Sequence, residues 1–239
     1  MSDTYRFSNG VVLGRHELLE LQLERYQEPD NPNLHEPVEE EWLLTVLNEC
    51  GRSNPVFLDV GAAVGYYSIL VKKTWPGACV FAVEPLPEHI DALHHNTLLN
   101  DLPSDAITLL SVAVATEDKP VFLKRQSFGS GLVSVADSDS IQVKGRRLRS
   151  LLQNIPPVDV LKMDIQGLEL DVLDASRPTL KEHSIRNIIV GTHSKTIYAS
   201  VKQLLEDEGY QILFSDPSPQ FQPDGLIVAA APAKTKVSS

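Results

Sequence analysis

Residues 57–68 read FLDVGAAVGYYS, and their reading decides the fold. An apolar run, VFLDV, ends on Asp59; Gly61 and Gly65 lie in the turn; and YYSILVKKTW continues as a helix whose inner face carries Ile69 and Leu70. Downstream, CVFAVEP reads as a strand, PEHIDALHHNTLLN as a helix and AITLLSVAVA as a further strand. VDVLKMD returns to the buried strand type, followed by a short helix in LELDVLDAS and a strand in IRNIIVG. KTIYASVKQLLEDEGY is an amphipathic helix with Ile197, Val201, Leu204 and Leu205 on one face, and QILFS and GLIVAAAP finish the sheet as an antiparallel pair. Strands that are apolar on both faces and alternate with helices predict an α/β fold, a mostly parallel sheet covered on both sides.

Two stretches depart from this alternation. PVFLKR and IQVKGRRL flank the Gly- and Ser-rich loop 126–140, with Phe128, Gly129 and Gly131, and predict an inserted hairpin or edge pair whose loop walls the acceptor side. Residues 1–37, interrupted by EPDNPNLHEP, predict an irregular arm or lid with a helix in HELLELQLERY; His35 lies over the ligand if the arm folds back. The regular domain spans 38–232 and opens with the helix EEEWLLTVLNECG, which has acids in its first turn and Gly51 just beyond its end. Residues 233–239 read as a disordered tail.

A chain of 239 residues that is 42% hydrophobic can bury one good-sized core. Its 32 acids against 21 basic residues, a net charge of −11, argue against nucleic acid as a partner, because phosphate binding needs clustered Lys and Arg. The dense basic run KGRRLR (144–149) reads as a solvated strand edge. Cys50 and Cys79 make no disulfide framework and fit free thiols. No signal-peptide pattern and no apolar run of the ~20 residues that cross a bilayer is present, so the expected location is the cytoplasm, without membrane association. Nothing in the sequence speaks to oligomeric state.

Open α/β sheets bind ligands at the carboxyl ends of their strands, which makes the Gly61–Gly65 turn the expected cofactor site. A dinucleotide fingerprint starting at Gly61 would need glycines where Ala63 and Tyr66 stand. Asp59, just before the turn, is poorly suited to a pyrophosphate but suits a cationic amino-acid group joined to a sulfonium. Glu84 ends the next strand, where a carboxylate accepts hydrogen bonds from both ribose hydroxyls. These features favour S-adenosylmethionine, with cofactor contacts expected from Asp59, Gly61, Ala62, Gly65, Tyr66, Glu84 and Pro85.

FLDVGAAVGYYSIL, VFAVEPLPEHIDALHHNTLLN, and VDVLKMDIQGLELDVLDAS with IIVGTHS together resemble the FkbM family of class I S-adenosylmethionine-dependent methyltransferases. The resemblance implies a Rossmann-like seven-stranded sheet with its last strand antiparallel. It also implies the adenine near Ser111 and Val112, and methyl transfer to a hydroxyl of a sugar or natural-product small molecule. Gln166 and Gly191 stand where the family commonly has glutamates, so no metal is expected.

Methyl transfer from an activated donor requires alignment and the loss of one proton. Asp164, at the end of its strand, is the expected acceptor-side residue; His193, after the next strand, is the expected proton acceptor with Asp164 beside it. Lys162 shares the face of Asp164 and is expected in the catalytic group, paired with an acid rather than acting as a base. The competing readings are a nicotinamide-dependent oxidoreductase and a methyltransferase-like protein that binds the cofactor without turnover.

Overall fold

The structure is a computed structural model that describes residues 3–124, 132–133 and 140–233. In chain order, the arm holds β1 (Thr4–Arg6), β2 (Val12–Gly14) and α1 (Glu20–Tyr26), followed by α2 (Pro37–Glu49). The first half of the main sheet follows as β3 (Val56–Val60), α3 (Tyr66–Thr74), β4 (Cys79–Val83), α4 (Pro87–Leu99) and β5 (Ile107–Leu110). A peripheral group comes next: β6 (Ala113–Val114), β7 (Pro120–Lys124), β8 (Leu132–Val133), β9 (Ser140–Arg146) and α5 (Leu148–Leu152). The second half is β10 (Val158–Met163), α6 (Glu169–Ala175), α7 (Arg177–Lys181), β11 (Ile185–Thr192), α8 (Lys195–Asp207), β12 (Gln211–Asp216) and β13 (Gly225–Ala230).

Among the described residues, seven strands form the main sheet in the order β12-β13-β11-β10-β3-β4-β5. The pairs from β11 to β5 are parallel, and β13 runs antiparallel to both β11 and β12. The strand order reverses between β3 and β10, so the ends of these two strands form the crevice where ligands bind in such sheets. Every residue of β3 and β10 is buried, as continuous apolar runs covered on both faces require. One face of the sheet packs Leu43, Phe57, Ile69 and Val160 together, and the other packs Leu58, Leu161, Val172 and Val201.

Two expectations are corrected. AITLLSVAVA is not one strand: the chain leaves the main sheet after Leu110, and Ala113–Val114 pairs instead with β9. The backbone turns there, with Val112 N–H donating to the Leu110 carbonyl at 2.9 Å. The arm is also more regular than its prolines imply. Its β1–β2 hairpin is held by α4, where Asn96 and Asn100 accept from Gly14 N–H and Val12 N–H, both at 2.9 Å. Spaced i, i+4, the two amides share one helix face and satisfy an edge that three-residue strands cannot satisfy alone.

The predicted inserted hairpin is present as β7 paired antiparallel with β9. Its loop, with Phe128, Gly129 and Gly131, lies outside the described residues, as does 234–239 of the expected tail. Among the described residues no helix is long and apolar enough to cross a membrane.

Candidate active site

A cavity of about 390 Å³ opens at the carboxyl ends of β3, β4 and β10, within the size range of small-ligand sites. Its floor is the β3–α3 turn, Gly61 to Val64. One wall is Glu84, Pro85 and Val112, the opposite wall is Asp164 and His193, and the arm closes it with Leu18, Arg25 and His35. The arm therefore covers the cavity and shares its core with the sheet, since Phe7, Leu13 and Tyr26 pack in the same cluster as Phe57.

The floor is shaped by backbone. Gly61 has φ +83°, and a Cβ there would lie 1.9 Å from the carbonyl oxygen of Asp164, so only glycine lets the β3 and β10 turns approach this closely. Ala63 also takes a left-handed conformation, φ 46°, which aims its N–H at Glu84 Oε2, 2.9 Å away. Glu84 Oε1 accepts from Leu86 N–H at 3.0 Å and faces His89 Nδ1 at 3.3 Å. The carboxylate is thus fixed before any ligand arrives, with lone pairs left for a diol.

Of the expected cofactor residues, Gly61, Ala62, Tyr66, Glu84, Pro85 and Val112 line the cavity. Asp59, Gly65 and Ser111 do not. Asp59 lies behind the turn, 1% exposed, accepting from Ser68 Oγ at 2.7 Å while its Oδ1 has no partner; burial raises its pKa against the pull of Lys162. Gly65, φ +93°, starts α3, and a Cβ there would press on Leu93 at 2.8 Å. Ser111 is exposed beside the lining Val112. Tyr66 links the arm to α2: its hydroxyl donates to Glu40 Oε2 at 2.6 Å and accepts from Asn9 Nδ2 at 2.8 Å.

On the opposite wall the structure brings Asp164, His193 and Lys162 together. Lys162 is buried between Glu39 Oε1 at 3.2 Å and Asp164 Oδ2 at 3.8 Å, with its ammonium 4.5 Å over the Tyr67 ring. Burial opposes its charge, but Glu39, Asp164, Asp59 and Glu36 outweigh that and hold the ammonium above its ordinary pKa. Lys162 is thus held between two acids.

His193 Nδ1 lies 2.9 Å from Glu169 Oε1, and Nε2 lies 3.4 Å from Asp164 Oδ1 and 3.6 Å from Asp224 Oδ2. Burial alone would lower its pKa, but the Glu169 hydrogen bond and the three carboxylates hold it up at about 9. The carboxylates around the ring thus favour its protonated form. Burial in turn raises Asp164, and pushes Asp224 up to about 6, against the pull of neighbouring cations.

Sequence reasoning missed Glu169 and Asp224 as site residues. The short helix expected in LELDVLDAS is α6, but the full burial of Glu169 in its first turn and its bond to His193 were not foreseen. Asp224 was readable only through sheet register: Thr192 pairs with Gly225 across β11 and β13, which sets the residues just outside, His193 and Asp224, opposite each other.

The sequence profile described as the methyltransferase FkbM domain matches residues 59–212. The "Methyltransferase sdnD" of Sordaria araneosa is 28% identical over 197 residues, covering 67% of this chain and 75% of that protein. The "Hexuronic acid methyltransferase AglP" of Haloferax volcanii is 26% identical over 170 residues, covering 70% of this chain and 68% of that protein. The crystal structure of methyltransferase FkbM from Methylobacillus flagellatus KT matches with a TM-score of 0.56 at 16% identity, covering 74% of this chain but only 44% of that one. Magnesium protoporphyrin IX methyltransferase (ChlM) from Synechocystis PCC 6803, with bound SAM, matches with a TM-score of 0.53 at 14% identity, covering 82% of this chain and 79% of that one. At these identities the two structures speak to the fold alone.

Proposed function

The chain belongs to the FkbM family of methyltransferases, and from that premise we propose that it transfers the methyl group of S-adenosylmethionine to a hydroxyl oxygen of a sugar or natural-product small molecule. When bound, S-adenosylmethionine supplies a methyl group already activated on a sulfonium. The residues present fit it: the Gly61 turn leaves room for close approach, and Glu84, held by two backbone N–H groups, faces the cavity as a ribose-diol acceptor. Asp59, behind the turn, acts by its field and not by contact.

The chain's own work is alignment and proton removal. Asp164 and His193 hold the acceptor hydroxyl on the wall facing the cofactor turn, and Asp224, beside His193 on the same cavity, takes the proton. Lys162 keeps Asp164 in place from below. Arg25 lines the cavity from the lid with its Nε unpartnered, which suits a hydroxylated or acidic acceptor. The hexuronic acid named for the Haloferax volcanii relative is an acceptor of that kind.

The observation that carries this reading is the shared cavity, with a backbone-built turn on one wall and the Asp164–His193 pair on the other. Incubating the protein with S-adenosylmethionine and a panel of sugars, uronic acids and hydroxylated natural products, and following S-adenosylhomocysteine release, tests it. Mass spectrometry then locates the methyl group. An O-methyl product is expected; methyl on nitrogen or carbon would overturn the hydroxyl assignment.

A further inference from the structure

Three donor groups from three elements converge at the acceptor wall, and two of their buried atoms have no hydrogen-bond partner. Asp164, Glu169 and His193 each offer one ligand atom, all within 4.8 Å of one another. Glu169 is 0% exposed, and its Oε1 accepts from Ile165 N–H, Gly167 N–H and the His193 ring, yet its buried Oε2 accepts nothing. His193 Nε2 is likewise enclosed without a hydrogen bond, 3.4 Å from Asp164 Oδ1. A buried polar atom left unpaired costs about 1–3 kcal/mol, so the orphaned Glu169 Oε2 points to something that takes it up.

We propose that Asp164, Glu169 and His193 form a binding site for a divalent cation of the Mn²⁺ or Mg²⁺ type. Bonds of about 2.1 Å place neighbouring ligand atoms about 3–3.5 Å apart, which is the separation of His193 Nε2 and Asp164 Oδ1. Two carboxylates balance the ion's charge, and one imidazole beside carboxylate oxygens favours this class over soft metals. A thiolate is not at hand: Cys79 pairs with Val56 at the starting end of the strands, the far end of the sheet from this site.

Lys162 would repel a cation, but it sits on Asp164 Oδ2, away from Oδ1, and Glu39 compensates it at 3.2 Å. The two glutamates that the sequence lacks are not needed. Gln166 takes a left-handed turn, φ 59°, and donates to Asp164 Oδ1 at 3.3 Å, while Gly191 leaves open the space against the Asp164 carboxyl. The site itself stands on geometry alone. Its role, holding the acceptor hydroxyl as a further ligand while Asp224 takes the proton, rests on the methyl-transfer reading above.

The test is Mn²⁺ binding by the full chain, stripped with EDTA and followed by calorimetry and by Mn²⁺ electron paramagnetic resonance. One equivalent is expected, competed by Mg²⁺, with binding weakened at least ~10-fold in Asp164→Asn, Glu169→Gln and His193→Ala. If Glu169→Gln does not fold, the other two variants carry the comparison, each checked for retained S-adenosylmethionine binding. No Mn²⁺ binding by protein that still binds S-adenosylmethionine overturns the site, as does binding unchanged in His193→Ala. Failure of the methyl-transfer reading looks different: Mn²⁺ binds, and S-adenosylmethionine does not.

Discussion

The two walls of the cavity are built from different materials. The β3–β4 side is backbone: a left-handed Gly61 and Ala63, and a Glu84 carboxylate fixed by main-chain N–H groups. The β10–β11 side is charged side chains drawn from far apart in the chain, with Glu39 from α2, Lys162 and Asp164 around β10, Glu169 from α6, His193 after β11 and Asp224 before β13. A backbone site holds one shape for a ligand whose chemistry is constant. A side-chain cluster can be retuned residue by residue for different acceptors while the sheet stays the same.

The hardest test of that division is Gly61→Ala. Its Cβ would meet the Asp164 carbonyl at 1.9 Å, so S-adenosylmethionine binding should weaken more than ~100-fold, measured by calorimetry. Gly10→Ala is the control, with the same kind of backbone (φ +86°) but nothing within 4 Å; it should cost about 1 kcal/mol of stability and leave cofactor affinity alone. Equal effects from the two would mean that the contact between the walls is unimportant.

Asp164→Asn probes the other wall. Turnover should fall about 10²–10⁴-fold while the Kd for S-adenosylmethionine stays within about threefold. A collapse of cofactor affinity instead would show that the two walls are one unit. Lys162→Met removes the cation beneath that wall and leaves Glu39 buried without its partner, at a cost of about 3–5 kcal/mol in denaturant unfolding. Pairing it with Glu39→Leu should recover most of the loss, because the expensive species is the lone buried charge.

The smallest effect concerns the lid. Burial lowers the His35 pKa to about 4, below its ordinary 6.5, so the folded lid prefers the neutral ring. Unfolding lets the ring take up a proton, and this contribution to stability is complete above pH 6.5 and is lost as pH falls toward 4. Because the ring keeps some exposure, about 2 kcal/mol is the expected scale. Hydrogen exchange in β1, β2 and α1 should quicken over that window, and His35→Phe should flatten the response. Faster exchange across the whole sheet in the same window would mean that the lid does not open separately.

The shape of the β3–β4 side was legible because its constraints are local. A glycine is required where φ is positive and the backbone packs closely, so Gly61 and Gly65 stand at fixed distances from the end of β3, and Glu84 at the end of the next strand. The acceptor wall was half legible. Asp164, His193 and Lys162 follow from their places at strand ends, but nothing near Glu169 in sequence signals its bond to a histidine 24 residues later. AITLLSVAVA failed as one strand for a related reason: its apolar run serves two sheets, and only the turn at Ser111–Val112 separates them.

By itself, then, the sequence determined the order of strands and helices, the glycine turn and the acid that closes β4, because hydrophobic period and backbone sterics act over a few residues. Only the tertiary structure decided that the arm shares the core, that Glu39 meets Lys162, and that Asp224 and Glu169 flank His193. Charges interact through space at 3–4 Å, and sheet register sets which charges come that close, a distance that the sequence does not record.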